Sequence, residues 1–223
     1  MQNHRRLPQN LLLNVKENDA TSEASMPVIM QTEKGDISTH YFPAHNTSFG
    51  ALWVGGINNS QGSPVETLFA DAAEHLTSEG IVSLKVLFRN SGDFEDCEYD
   101  IEAGLAFLEN KGIDSVALIG HSFGGAIVIR VATQISSVRT VVTLASQSLG
   151  ADGVANLNSS CSILFLHGTD DEILSSGCSQ YLHELAQTQK KLLLCPGADH
   201  NFEPLTEIVQ QRVCEWIIKE LKE

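Results

Sequence analysis

The strongest constraint on the fold is an alternation that begins at Pro27 and continues to the C-terminus. Short apolar runs of strand character recur at Ala51–Val54, Ile81–Phe88, Val116–Gly120, Val141–Leu144, Ile163–Leu166 and Lys191–Cys195. Several lack polar alternation, the pattern of a strand covered on both faces. Helical signals lie between them. Ser63-Pro64-Val65-Glu66 reads as a helix start: Ser63 can cap, Pro64 suits the first helical position, and Glu66 completes a capping box. The apolar set Val65, Leu68, Phe69, Ala72 and Leu76 keeps helical spacing, and Gly80 ends it. Further helices are predicted over Asp100–Asn110, Phe123–Gln134, Cys178–Gln187 and a C-terminal segment carrying Val209, Val213, Trp216, Ile217 and Leu221. Phe123–Gln134 has almost no polar face, which predicts an interior helix. Strands joined through helices of ten or more residues form βαβ units and a parallel sheet. Val28–Gln31 and Ile37–Phe42 are joined by the turn Lys34-Gly35-Asp36, so the sheet is expected to begin antiparallel.

The expected architecture is therefore one α/β domain over residues 27–223, with a mostly parallel central sheet and helices on both faces. Residues 1–26 are rich in Asn, Gln, Ser and Glu, and Arg5, Arg6 and Lys16 balance Glu17, Asp19 and Glu23, so a poorly ordered N-terminal tail is expected there. The chain's formal net charge is −14, which argues against nucleic acid and anionic membrane surfaces as partners. No run approaches the ~20 apolar residues of a membrane-spanning helix. Cys97, Cys161, Cys178, Cys195 and Cys214 are odd in number, include no Cys-x-x-Cys pair, and several lie in apolar runs. They read as buried, reduced thiols, which fits a cytoplasmic protein.

Chemistry concentrates at Gly120-His121-Ser122-Phe123-Gly124. Gly-x-Ser-x-Gly at a strand-to-helix junction is a nucleophile elbow: the turn lifts the serine hydroxyl above the strand ends and points the next residue's N–H toward a reacting carbonyl. A serine hydroxyl needs a base, and the base an orienting acid, which in this topology follow in the order Ser, Asp or Glu, His. Ile163–Leu166 runs into His167-Gly168-Thr169-Asp170-Asp171, and Lys191–Cys195 runs into Pro196-Gly197-Ala198-Asp199-His200. Both loops emerge at the sheet edge that carries Ser122, the edge where open α/β sheets bind ligands. Of the eight histidines only His200 lies in the loop suited to a base; His121 is expected to point away from Ser122, and His167 reads as structural.

With these motifs the chain resembles the α/β-hydrolase superfamily, and within it small capless serine hydrolases such as dienelactone-hydrolase-like proteins and esterases. The motifs that carry the resemblance are Gly120-His121-Ser122-Phe123-Gly124-Gly125, His167-Gly168-Thr169-Asp170-Asp171 and Gly197-Ala198-Asp199-His200. The resemblance implies Ser122 as nucleophile, His200 as base and Asp171 as acid, with Asp170 the alternative. It also implies that the backbone N–H groups of Ile57 and Phe123 bind the oxyanion, with Gly56 as the alternative to Ile57. The implied reaction is hydrolysis of a carboxylic ester of a small soluble substrate through an acyl-enzyme, requiring no cofactor or metal. True dienelactone hydrolases carry a cysteine nucleophile where this chain has Ser122.

The same residues would serve a thioesterase or a serine peptidase, and the fold would also suit a non-catalytic ligand-binding or receptor-like protein. Only residues 145–162 separate two of the strand runs, a loop too short for a helical lid. Asp93, Glu95, Asp96, Glu98, Asp100 and Glu102 crowd into ten residues without a Lys or Arg. They read either as a solvated loop and helix start, where acids are favoured, or as a negative field at the mouth of the site that disfavours anionic substrates.

Overall fold

A computed structural model describes residues 7, 11–17 and 25–223. Its sheet has nine strands: β1 (Asn14–Glu17), β2 (Met26–Thr32), β3 (Gly35–Phe42), β4 (Phe49–Val54), β5 (Val82–Val86), β6 (Ser115–His121), β7 (Val138–Leu144), β8 (Ser162–Gly168) and β9 (Lys190–Cys195). The helices are α1 (Pro64–Ser78), α2 (Phe94–Asn110), α3 (Phe123–Ala132), α4 (Gly177–Leu185) and α5 (Thr206–Lys222). Strand order is β1-β2-β3-β5-β4-β6-β7-β8-β9. Pairing is antiparallel from β1 to β5 and parallel from β5 onward across the sheet.

Alternate residues of the parallel strands feed opposite faces. Leu52, Val54, Leu84, Leu118, Val141, Ile163 and Phe165 pack with α2 and α3 into one core. Ala51, Trp53, Ile119, Val142, Leu144, Leu164 and Leu166 pack with α1 and α5 into the other. Each strand is thus apolar on both sides, which is why these runs read as continuous rather than alternating. Helix α3 is buried along all but Arg130, as its apolar sequence requires.

The chain leaves β4 through α1 to β5 on one side, then returns through α2 to β6 on the other. The two crossovers lie on opposite faces, with α1 and α2 in different cores. A crevice opens where neighbouring strands send their connections in opposite directions. Here it falls between the carboxyl ends of β4 and β6, so the segments after Val54 and after His121 flank it.

Three local expectations are corrected. Residues 14–17, expected in a tail, form edge strand β1 on β2, and Leu11 beside it is buried. Residues 1–6, 8–10 and 18–24 of that expected tail lie outside the described residues. Ser63 precedes α1 with Pro64 first in the helix, but the capping box does not form: Ser63 Oγ donates to Ser60 O (2.7 Å) and Glu66 accepts from Gly62 N–H (2.8 Å). The Ser63 N–H that a capping box would use is spent on Ser60 O at 3.1 Å, and the other Glu66 oxygen pairs with Lys85 at 2.8 Å. Helix α2 begins at Phe94 rather than Asp100, because Asp93 Oδ1 accepts the Asp96 N–H and caps the earlier turn.

The acidic stretch is largely engaged inside the fold. Asp100 is fully buried and accepts from the Arg89 backbone N–H (2.9 Å) and Nε (2.7 Å). Asp96 lies 3.5 Å from Lys34, and Glu98 pairs with Arg130. Three of the six acids thus meet a cation, and two of the cations, Lys34 and Arg130, come from distant sequence. Among the described residues no helix is long and apolar enough to cross a membrane. All five cysteines are unpaired; burial pushes the Cys97, Cys161 and Cys214 thiols up to about 12, while Cys178 and Cys195 are partly exposed.

Removing the Asp100 carboxylate leaves the Arg89 guanidinium without its buried partner. Asp100→Ala is expected to cost roughly 3–5 kcal/mol, read as a lower urea midpoint, with Glu95→Ala on the exposed side of α2 as a near-neutral control.

Candidate active site

Ser122 sits between β6 and α3 at φ 55° and ψ −118°, outside the helical and extended regions. A side chain tolerates positive φ at a cost that the surroundings must impose. They do so through backbone contact: a Cβ on Gly120 would strike the Gly124 carbonyl, one on Gly124 would strike the Gly55 carbonyl, and one on Gly125 would strike Ser146. The strand, turn and helix therefore approach at distances that only glycine allows. Gly56, across the crevice, faces Ser122 directly, since a Cβ there would lie 3.0 Å from Ser122 Cβ and 3.4 Å from its Oγ. The Ser122 N–H donates to Leu144 O at 2.8 Å, anchoring the elbow to the end of β7.

Asp171 lies in the loop after β8 and His200 in the loop after β9. Gly168 lets these loops meet, because a Cβ there would collide with the carbonyls of Ala198 and Asp199. His200 Nδ1 is 2.7 Å from Asp171 Oδ2. Asp171 Oδ1 accepts the backbone N–H groups of Ile173 and Leu174, both at 2.8 Å. The carboxylate side chain is fully buried. Burial pushes its pKa up, but the Leu174 N–H, the His200 ring and the Ile173 N–H outweigh that and hold it below the ordinary carboxylate value. The geometry brings Asp171, and not Asp170, to His200; Asp170 is exposed and accepts instead from Thr169 Oγ1 at 2.9 Å.

The Ser122 hydroxyl makes no hydrogen bond to His200 or to another described residue. Of the five residues singled out in sequence, Asp171 and His200 are joined directly, Ser122 and Phe123 are consecutive at the elbow, and Ile57 follows Gly56, which faces Ser122. The Ile57 and Phe123 N–H groups each open a helical turn, Ile57–Ser60 and α3, so neither has an intrahelical acceptor. The Gly56 N–H is occupied by Ser60 Oγ at 2.9 Å, which favours Ile57 over Gly56 as the donor facing Ser122.

Two histidines have larger parts than sequence reasoning gave them. His167 is fully buried, with Nε2 3.1 Å from Asp171 Oδ2 and 3.0 Å from Leu174 O, and Nδ1 2.7 Å from Ser179 Oγ. Burial holds its pKa below the ordinary value. It is then neutral, and because both Nε2 partners are acceptors, Nε2 carries the one proton and donates it to Leu174 O, with Asp171 Oδ2 close beside it. His121 is buried beneath the elbow, its ring 4.7 Å from that of His200 between centroids. Burial, then the neighbouring His200, pull its pKa down to about 4. The His-Gly-x-x-Asp spacing put His167 and Asp171 four residues apart, but nothing local foretold that a turn would aim both at one atom. His121 has no sequence signal beyond its place in the elbow.

A strand–loop–helix sheet with a serine elbow at its switch point and an Asp–His pair on the same edge defines the α/β-hydrolase class. Within it, the chain belongs to the dienelactone hydrolase family, whose model matches residues 82–212. Among solved structures, it is similar to an α/β serine hydrolase without a lid from Xanthomonas campestris, at 17% identity over 92% of this chain and 99% of that one, TM-score 0.75. It is also similar to dienelactone hydrolase from Anabaena variabilis, at 17% identity over 93% of this chain and 99% of that one, TM-score 0.74. A third is a cold-adapted esterase from an Arctic intertidal metagenomic library, at 18% identity over 93% of this chain and 98% of that one, TM-score 0.72. No curated protein sequence matches the chain. The protein is accordingly a hydrolase.

The buried neutral His121 makes stability depend on pH in a defined direction. Its folded pKa of about 4 lies below the unfolded value of 6.5, so the unfolded chain binds more protons between those limits. Stability falls as pH drops from 6.5 to 4 and is flat in this contribution above 6.5. Between pH 7 and pH 5 the expected loss is on the order of 2 kcal/mol. Urea denaturation of the wild type at the two pH values, against His121→Gln, measures it; the variant should lose less on acidification.

Proposed function

We propose that the protein is a serine esterase that hydrolyses a carboxylic ester of a small soluble substrate through an acyl-enzyme on Ser122. The observation that carries this reading is the 2.7 Å contact of His200 Nδ1 with a buried, fully satisfied Asp171 carboxylate, on the same sheet edge as a serine at φ 55°. An imidazole whose Nδ1–H is held by a carboxylate presents a bare Nε2, the form that accepts a serine proton. Catalytic hydrogen bonds are often long in unliganded proteins and tighten when substrate binds.

In this mechanism Ser122 Oγ attacks the ester carbonyl as His200 Nε2 takes its proton. Asp171 stabilises the resulting imidazolium and keeps its orientation. The Ile57 and Phe123 N–H groups receive the negative charge on the carbonyl oxygen; removal of one such donor typically costs about 10²–10³ in rate. His200 then gives its proton to the leaving alcohol and activates water against the acyl-enzyme. His167 packs beside Asp171 and bonds the Leu174 carbonyl, while three donors hold the carboxylate.

The substrate side of the crevice is apolar and open. Leu149, Ile173 and Ile57 are among the most exposed large aliphatic side chains of the described residues, at 75%, 69% and 61%. They follow β7, β8 and β4, which with β6 are adjacent in the sheet. Between β7 and β8 the chain makes only a short turn at Asp152–Asn156, with no helical lid. These aliphatic rims favour an ester with an apolar acyl or alcohol group.

The test is turnover of p-nitrophenyl esters of graded chain length, with a thioester and a small amide alongside. Ester hydrolysis that rises from acetyl toward short-chain acyl groups is expected, with Ser122→Ala reduced to background. Asp171→Asn should lose about 10⁴ in kcat, and Asp170→Asn should stay within a few-fold of wild type. A folded wild type that turns over no member of the panel, or an Asp170 variant as impaired as the Asp171 variant, overturns the reading.

A further inference from the structure

Beneath the elbow runs a chain of hydrogen bonds in which every group has one available role. His121 Nε2 lies 3.0 Å from the His200 backbone carbonyl, which can only accept, so Nε2 carries the proton. The ring is neutral, as its burial demands, and Nδ1 is therefore a bare acceptor. Its partner at 2.9 Å is Ser60 Oγ, which must donate. Ser60 Oγ in turn accepts the Gly56 N–H at 2.9 Å. The bonds run one way, from Gly56 through Ser60 and His121 to the backbone of His200.

The turn at one end of this chain does not hold its shape unaided. Asn58, Asn59 and Ser60 have φ of 57°, 57° and 56°, three successive left-handed residues that all carry a Cβ. Side-chain bonds impose this conformation. Asn59 bonds Phe88 in both directions, Nδ2 to Phe88 O at 3.1 Å and Phe88 N–H to Oδ1 at 2.7 Å. Ser91 Oγ takes the Asn58 N–H at 3.0 Å. Among the side-chain hydrogen bonds of the described residues, the Ser60–His121 bond alone ties the turn to the elbow and, through His121, to the loop bearing His200.

We propose that His121 and Ser60 are positioning residues that lock the oxyanion turn and the His200 loop into one register, so that the Ile57 N–H and the His200 ring face Ser122 together. The proposal rests on the reading of Ser122, His200 and Asp171 as an acyl-transfer site. Spending the Gly56 N–H on Ser60 leaves the Ile57 N–H as the one turned to the substrate. Fixing the His200 carbonyl limits how far its ring can swing away from the elbow.

The test uses Ser60→Ala, His121→Asn and His121→Gln, read by kcat and KM on an active p-nitrophenyl ester, with thermal melting to confirm folding. Ser60→Ala should lower kcat by about 10–100-fold, less than outright loss of an oxyanion donor, with KM within about threefold. Asn places its Oδ1 near the former Nδ1, keeping an acceptor for Ser60 but losing the donor to His200 O; Gln reaches toward the former Nε2, keeping that donor but losing the acceptor. Each variant therefore breaks the hydrogen-bond chain at one link, and both should lower kcat to the same extent as Ser60→Ala; a purely packing role would instead leave the Gln variant well above the Asn variant, which carries the larger void. The double variant Ser60→Ala/His121→Gln should be no worse than the poorer single variant, as for residues acting in one chain. Ser60→Ala within about twofold of wild-type kcat, or His121→Gln within about twofold of wild-type kcat, overturns the proposal. A wild type without esterase activity contradicts the proposed function instead, and nitrogen NMR of labelled histidine then decides the inference. It predicts a neutral Nε2–H tautomer for His121 at pH 6 whose Nδ1 resonance moves in Ser60→Ala. An Nδ1–H or protonated ring, or a resonance unmoved by Ser60→Ala, overturns it.

Discussion

The backbone at Ser122 is the constraint on which the rest of the site depends. A residue with a Cβ is held at φ 55° because strand β6, helix α3 and the end of β4 touch through glycine. Carbonyls of Gly55 and Gly124 stand where side chains would otherwise be, so the elbow cannot relax without parting the layers of the fold. Strain of this kind persists only where the surroundings over-determine it. Here both cores contribute: β6 sends Leu118 to one and Ile119 to the other, and α3 is buried nearly end to end.

From that fixed point the electrostatics follow. The parallel strands β8 and β9 deliver Asp171 and His200 to the same edge, and Gly168 lets their loops meet. The cost of burying the Asp171 carboxylate is offset by two backbone N–H groups and one imidazole N–H group. Buried charges persist when they are this completely satisfied. The acid is thereby kept ionised, and its hydrogen bond fixes which nitrogen of His200 faces the crevice. His121 and His167, buried and neutral, act as directional linkers and not as charges.

Much of this was legible in the sequence, and the reasons are physical. The strand runs were readable because strands covered on both faces must be apolar throughout, and the elbow because its glycines are sterically obligatory. The Asp171–His200 contact was readable because parallel topology sends successive strand ends to one edge. What was not readable depends on contacts between distant segments. The acids from Asp93 to Glu102 looked like a free charge run; Arg89, Lys34 and Arg130 neutralise much of it only in the folded chain. The Ser63 N–H that a capping box needs is taken by Ser60 O, and the strand character of residues 14–17 comes from an edge that β2 offers. The left-handed turn at Asn58–Ser60 carries no glycine to announce it and is held by partners at Phe88, Ser91 and His121.

The central claim is that Ser122, and no other nucleophile, forms the covalent intermediate. Peptide mapping by mass spectrometry after reaction with a fluorophosphonate tests it most directly. The account predicts one adduct per chain, on the peptide containing Ser122, absent from Ser122→Ala and strongly slowed in Asp171→Asn. A folded protein that remains unmodified, or an adduct on another residue that survives Ser122→Ala, would contradict it.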